Sequence, residues 1–318
     1  LHSYKNQTKP IIIDCDPGLD DAIALMVAFG WRDQLDIKGI TCVAGNQTIE
    51  KTFTNALRIA KHLNIEVPIA RGAEKPLIKP LTLADDVNGQ TGLEGMEIPL
   101  ECVQPSNLSA FDLISEILAE AQEKVTILAT APLTNIAHVL SVRPHLKNKI
   151  DHITLMGGSS IGGNITAVSE FNMFVDPEAA KIVFDSGVPI TMFGLDLTYK
   201  AYTTRQDIQQ ITGNLKNRAS RLLGDLLNHY MPYSERMGLN GVAIHDACTV
   251  IYELKAELFS GIKRVSVDVD TSGGPSYGST LVDFYDLTGR PKNVDFITQV
   301  DQTAFNDFLY KCCARYLD

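Results

Sequence analysis

Short β-branched runs alternate with helical patterns along most of this 318-residue chain, and few architectures can absorb that alternation. Ile11-Ile12-Ile13 predicts a strand that leads through Asp20-Asp21 into an apolar helix over 22–29. Strands over 37–43, 67–70, 125–129, 153–156 and 190–193 follow, with helices over 48–63, 110–121, 133–140 and 177–185 between them. This pattern predicts an α/β fold, a doubly wound, mostly parallel sheet with helices on both faces. The last third predicts a helical C-terminal extension. Residues 205–237 read as mostly helical, a second helical start falls at Asp246, and strands over 265–269 and 281–285 flank Gly273-Gly274 before a helix over 302–316. No linker, repeat or low-complexity stretch interrupts residues 1–318, so they are read as one domain. The loop over 72–106 is rich in Gly, Pro and Asp and longer than most connections, which makes it a functional suspect.

Composition narrows the function classes. A formal net charge of -10 offers no electrostatic footing for a polyphosphate backbone, so nucleic acid is not an expected partner. No uninterrupted apolar run approaches the roughly 18 residues of a membrane span, and a soluble protein is expected. Cys15, Cys42, Cys102, Cys248, Cys312 and Cys313 are scattered, with no C-x-x-C pair, which points to a reducing cytoplasm. N-x-[ST] sequons stand at Asn6, Asn46, Asn107 and Asn164, and two of them fall on candidate site residues, which also favours the cytoplasm.

In sheets of this kind ligands sit beyond the carboxyl ends of the strands, where the strand order reverses. The strongest chemical signal lies there. Asp14-Cys15-Asp16-Pro17-Gly18-Leu19-Asp20-Asp21 puts four carboxylates into eight residues after the first strand. Two carboxylates about 4 Å apart repel by roughly 4 kcal/mol at an effective dielectric of 20, so their convergence calls for a cation. Oxygen-only ligands favour calcium or magnesium over zinc. The plainer explanation is that Asp20 and Asp21 complement the dipole of the following helix. Asn46, Thr130, Asn164, Glu170, Asn172, His245 and Asp246 also follow strands. Taken singly, each has an ordinary explanation as a turn, cap or structural residue. Their shared location raises the odds of a site.

The segment 14–21 resembles the N-terminal signature of the inosine-uridine preferring nucleoside hydrolase family. Further segments resemble that family in order: Gly45-Asn46-Gln47-Thr48, Leu133-Thr134-Asn135-Ile136-Ala137, Met156-Gly157-Gly158, Glu170-Phe171-Asn172, Val175-Asp176-Pro177-Glu178-Ala179-Ala180 and His245-Asp246. The resemblance implies calcium-dependent hydrolysis of the N-glycosidic bond of a small-molecule ribonucleoside, a doubly wound sheet and a homodimer or homotetramer. It makes Asp16, Asp21 and Asp246 carboxylate ligands of Ca2+, with Thr130 supplying a backbone carbonyl and Asp14 supporting the loop from behind. Asp16 would take the proton from a metal-activated water. Asp20, Asn46, Asn164, Glu170 and Asn172 would hold the ribose, and His245 is the candidate proton donor to the leaving base.

One residue departs from the family pattern. Asn88 stands where a histidine is common, and an amide can bond a base but cannot protonate it. Tyr230 and Tyr233 are candidates for stacking on the base, with ordinary aromatic packing as the alternative. Three rival functions are open to the sequence. Gly158-Ser159-Ser160-Ile161-Gly162 fits the serine-hydrolase pattern G-x-S-x-G. Asp14 and Asp16 could serve a phosphoaspartyl phosphatase. A nucleoside-binding homologue with weak turnover would keep the same ligands.

Overall fold

The computed structural model describes residues 8–84, 89–96 and 98–317. In chain order its larger strands are β1 (Lys9–Cys15), β2 (Leu35–Cys42), β3 (Ile69–Arg71), β4 (Val125–Ala129), β5 (Ile150–Met156) and β6 (Ile190–Phe193). Then come β7 (Tyr202–Thr203), β8 (Val242–Ala243), β9 (Phe259–Ser260), β10 (Lys263–Val269), β11 (Thr280–Asp283), β12 (Val294–Phe296) and β13 (Gln299–Val300). Nine of these form one sheet in the order β3-β2-β1-β4-β5-β6-β12-β10-β11. Neighbours are parallel from β3 through β12, while β10 pairs antiparallel with both β12 and β11.

Successive residues of a strand face opposite sides of the sheet, and β1 shows the consequence. Ile11 and Ile13 join one apolar core, Ile12 joins another, and all three are fully buried. The first core is closed by the helices Leu19–Gly30, Ile49–Leu63 and Gln302–Ala314, and the second by Thr134–Val142 and Pro177–Asp185. The expected doubly wound layering is therefore present.

Four elements differ from the sequence reading. Residues 205–237 form two helices, Arg205–Asn214 and Arg218–Arg236, because each has its own cap: Thr204 Oγ1 accepts from Asp207 N at 3.2 Å and Asn217 Oδ1 from Ser220 N at 2.9 Å. β11 stops at Asp283, whose carboxylate folds the chain into a turn by accepting from the amides of Tyr285, Leu287 and Thr288. β5 starts at Ile150, three residues before the expected strand. β12 was not expected, and its Val-Asp-Phe is too short for a periodic signal.

The helix Ala247–Leu254 is tied to the amino end of β1 and to the middle of β5. The Glu253 carboxylate accepts from Lys9 Nζ at 2.8 Å and Thr154 Oγ1 at 2.7 Å, and meets His152 Nε2 at 2.9 Å. This anchors the far end of a helix that starts at Asp246. All six cysteines are free, and among the described residues no helix is long and apolar enough to cross a membrane.

Candidate active site

The strand order reverses between β1 and β4, since β2 and β3 lie on one side of β1 while β5 and β6 lie beyond β4. The chain leaves the carboxyl ends of these two strands in opposite directions and opens a crevice. Asp14 lies near the end of β1. Its Oδ1 accepts from Thr41 Oγ1 at 2.6 Å and from Asn135 Nδ2 at 2.8 Å. Asp16 Oδ2 accepts from the Asn46 amide nitrogen at 2.6 Å, and Asn46 Nδ2 donates to the Asp16 carbonyl at 3.1 Å and to Asp21 Oδ2 at 3.3 Å. Asp21 Oδ1 accepts from Thr130 Oγ1 at 2.7 Å, and its Oδ2 from Gly18 N at 3.3 Å. Asp21 thus serves both the helix start and the turn after β4. Gly45 leaves the room this contact needs, because a Cβ would land on Asp16 Oδ2 and within 2.8 Å of Pro132 Cδ, so one of them would have to shift.

These carboxyl groups resist joint ionisation. Burial pushes Asp14 up to about 7 and Asp21 up to about 6. Asp16 is also pushed well up, first by burial and then by the charge of Asp21. Asp16 Oδ1 and Asp14 Oδ2 are buried without any hydrogen-bond partner. An orphaned carboxylate oxygen facing like charges is the situation a cation relieves.

Asp20 joins the first helix to the helix at Asp246. Its Oδ2 accepts from the amides of His245 at 2.9 Å and Asp246 at 3.0 Å, and burial raises its carboxyl to about 7. Asp246 occupies the cap position without capping by its side chain, which leaves the carboxylate available. Burial, followed by the charges of Asp20, Asp21 and Asp16, pushes it well up. His245 Nδ1 lies 2.7 Å from Thr198 Oγ1, and its ring packs edge-on to Tyr199 with centroids 5.7 Å apart. Burial lowers the imidazole to about 4, so it is neutral near pH 7.

A cavity of about 800 Å³ opens over this ground. Asp20, Asn46, Thr130, Asn164, Glu170 and Asn172 line it, as do Tyr230, Tyr233, His245 and Asp246. Asp14, Asp16 and Asp21 are fully buried and reach it through the neighbours that bond them. The Glu170 carboxylate accepts from the amides of Gly158 at 2.8 Å, Asn172 at 3.0 Å and Met173 at 3.2 Å, and burial raises it to about 7. Asn172 Nδ2 donates to the carbonyls of Thr130 and Met156, each at 3.1 Å, which ties the ends of β4 and β5 together. Asn164 Oδ1 accepts from Phe171 N at 2.9 Å. Asn88 lies outside the described residues. The sequence reading missed Thr198 and Tyr199, which pack on His245, although Leu195-Asp196-Leu197-Thr198-Tyr199 closely follows β6, where ligand residues are sought. It also passed over Phe171 and Met156 as cavity walls.

The donor set fits a hard divalent cation. It holds the carboxylates of Asp16, Asp21 and Asp246 and the Thr130 carbonyl, which has a second lone pair besides the one used by Asn172. Among the described residues no three His, Cys, Asp or Glu side chains stand together as a finished cage. The unpartnered Asp16 Oδ1 is the observation that favours the fit.

Two rivals lose their footing. The Ser160 hydroxyl is bound to Asp196, its amide donates to the same carboxylate at 2.9 Å, and the next helix begins only at Phe171, so Ser160 has neither a histidine partner nor a strand-to-helix elbow. Asp14 is fully buried and held by Thr41 and Asn135, which denies it the exposure a phosphoryl acceptor needs.

Known proteins resemble this chain over nearly its whole length. The chain is 45% identical over 312 residues to the pyrimidine-specific ribonucleoside hydrolase RihA of Photobacterium profundum, covering 97% of this chain and 100% of that protein. A purine-preferring ribonucleoside hydrolase from Gardnerella vaginalis superposes with a TM-score of 0.87 at 31% identity, covering 96% of this chain and 99% of that one. The plant nucleoside hydrolase PpNRh1 superposes at 0.89 with 27% identity over 96% and 99% of the two chains. Residues 11–307 match the family described as inosine-uridine preferring nucleoside hydrolase, and the chain belongs to that family.

Proposed function

We propose that this protein hydrolyses the N-glycosidic bond of ribonucleosides, with pyrimidine nucleosides preferred, at a calcium site built on the Asp14–Asp21 turn. The observation that carries the reading is the buried carboxylate group with its orphaned Asp16 Oδ1, set beneath a cavity of about 800 Å³ lined by hydrogen-bonding side chains. Family membership supports the reaction class. The name of the relative at 45% identity supports the pyrimidine preference.

Asp16, Asp21, Asp246 and the Thr130 carbonyl would hold the calcium, which when bound supplies positive charge that acidifies a water and grips a ribose diol. Asp16 takes the water's proton on its carboxylate as the water's oxygen bonds the anomeric carbon of the ribose. Asn46, Asn164, Glu170, Asn172 and Asp20 surround the sugar, and the carboxylates stabilise the positive charge that develops on the ring as the bond to the base breaks. Burial keeps His245 neutral in the free protein; negative charge gathering on the departing base offsets that burial, so His245 takes up a proton from solvent and passes it to the base. Tyr230 and Tyr233 wall the same cavity and offer faces to the base. The family resemblance supports a cytoplasmic homodimer or homotetramer, which sedimentation would test.

The test is a steady-state survey of ribose release from uridine, cytidine, inosine, adenosine and guanosine. Hydrolysis fastest on uridine and cytidine is expected. Nucleoside binding by calorimetry with no ribose released would instead make this a binding homologue.

A further inference from the structure

One side chain outside the roles above touches the ends of three strands at once. Asn135, in the helix Thr134–Val142 after β4, is 4% exposed. Its Nδ2 donates to Asp14 Oδ1 of β1 at 2.8 Å and to the carbonyl of Cys42, the last residue of β2, at 3.0 Å. Its Oδ1 accepts from the amide of Ala73, just beyond β3, at 2.9 Å. Both amide hydrogens and the oxygen are engaged. The chain passes so close at Gly72 that a Cβ there would lie within 2.5 Å of Asn135 Nδ2. Thr41 Oγ1 donates to the same Asp14 oxygen at 2.6 Å, so two elements hold one face of this carboxyl while its Oδ2 has no partner.

We propose that Asn135 is a positioning residue for the reaction: by tying Asp14, the end of β2 and the start of the long loop into one knot, it sets the geometry of the Asp14-Cys15-Asp16 turn. The loop it pins runs on to Leu83 and Ala84 in the cavity wall, and the Ala84 amide bonds the Asn46 carbonyl at 3.2 Å. Asn135 therefore acts on both sides of the site, on the carboxylates beneath and on the loop beside it. The inference rests on the reading of the turn as a calcium site.

The test uses calcium alone as titrant, by calorimetry on chelator-stripped protein, alongside kcat on uridine at saturating calcium. For Asn135→Ala, calcium affinity and kcat are each expected to fall at least about tenfold, the scale on which partners of ligand-bearing segments act. Folded Asn135→Ala with wild-type affinity and wild-type kcat overturns the proposal, because a purely structural residue would lower the melting temperature and leave both unchanged. Should Asn135→Ala fail to fold, Thr41→Val decides: it keeps side-chain shape and removes the other donor to Asp14. Weaker calcium binding supports the proposal, and unchanged binding overturns it. A wild-type protein that binds calcium but releases no ribose would refute the proposed function, and the calcium titration would still judge Asn135.

Discussion

Glu253 offers a prediction whose size follows from the structure. Its side chain is 2% exposed and contacts Lys9, His152 and Thr154. Burial opposes its charge, yet the bonds and charges of His152 and Lys9 win and pull the carboxyl from its ordinary 4.5 down to about 2. Folding therefore favours the ionised form. That stabilisation is complete above pH 4.5 and disappears as the pH falls through 2. A drop of about two and a half pH units, at 1.36 kcal/mol each, is worth about 3 kcal/mol. Because the side chain is almost wholly buried, solvent screening takes little from this figure. Glu253→Gln keeps the shape and removes the charge. Urea unfolding of wild type and variant at pH 7 should differ by about 3 kcal/mol, and the difference should shrink to about half at pH 3. Below pH 4.5 the His152 imidazole, which the bonds and charges of Glu253 and Asp151 hold above its ordinary value against burial, keeps its charge, so the slope there belongs to Glu253. A difference below about 1 kcal/mol at pH 7, or one equal at both pH values, refutes the reasoning.

Other substitutions probe the site directly. Asp16→Ala should abolish ribose release, since proposed base and ligand vanish together; near-wild-type turnover would remove it from the mechanism. Gly45→Ala should cut kcat at least about tenfold while costing about 1–3 kcal/mol, because its Cβ pushes on Asp16 and Pro132; a stable variant of full activity would contradict the packing seen here. Asn172→Ala leaves the Thr130 and Met156 carbonyls without their donor and should cost about 1–3 kcal/mol in thermal or urea unfolding. His245→Ala should slow nucleosides with poor leaving groups more than an activated aryl riboside. Equal losses on both would exclude His245 as the proton donor.

The sheet and its carboxylate turn were legible for different reasons. Ile11-Ile12-Ile13 reads as a fully buried strand because neither face can meet water, and the structure gives one core to Ile12 and another to its neighbours. Four aspartates in eight residues are visible as chemistry before any fold is known. Partnerships set by tertiary contact were not visible. Nothing local marks Asn135 as the knot of three strand ends, or Thr198 as the partner of His245 47 positions on. β12 escaped because three residues carry no period, and its place beside β6 is decided by pairing alone. Asp246 looked like a helix cap in the sequence, and only the geometry frees its side chain from that duty.

The most direct measurement of the central claim is calcium added back to chelator-treated enzyme, with heat of binding and uridine hydrolysis followed on the same sample. Saturable binding at one site per chain that restores turnover in parallel, and its loss in Asp21→Asn, is the predicted result. Full turnover in chelator, or calcium binding untouched by Asp21→Asn, would contradict the account.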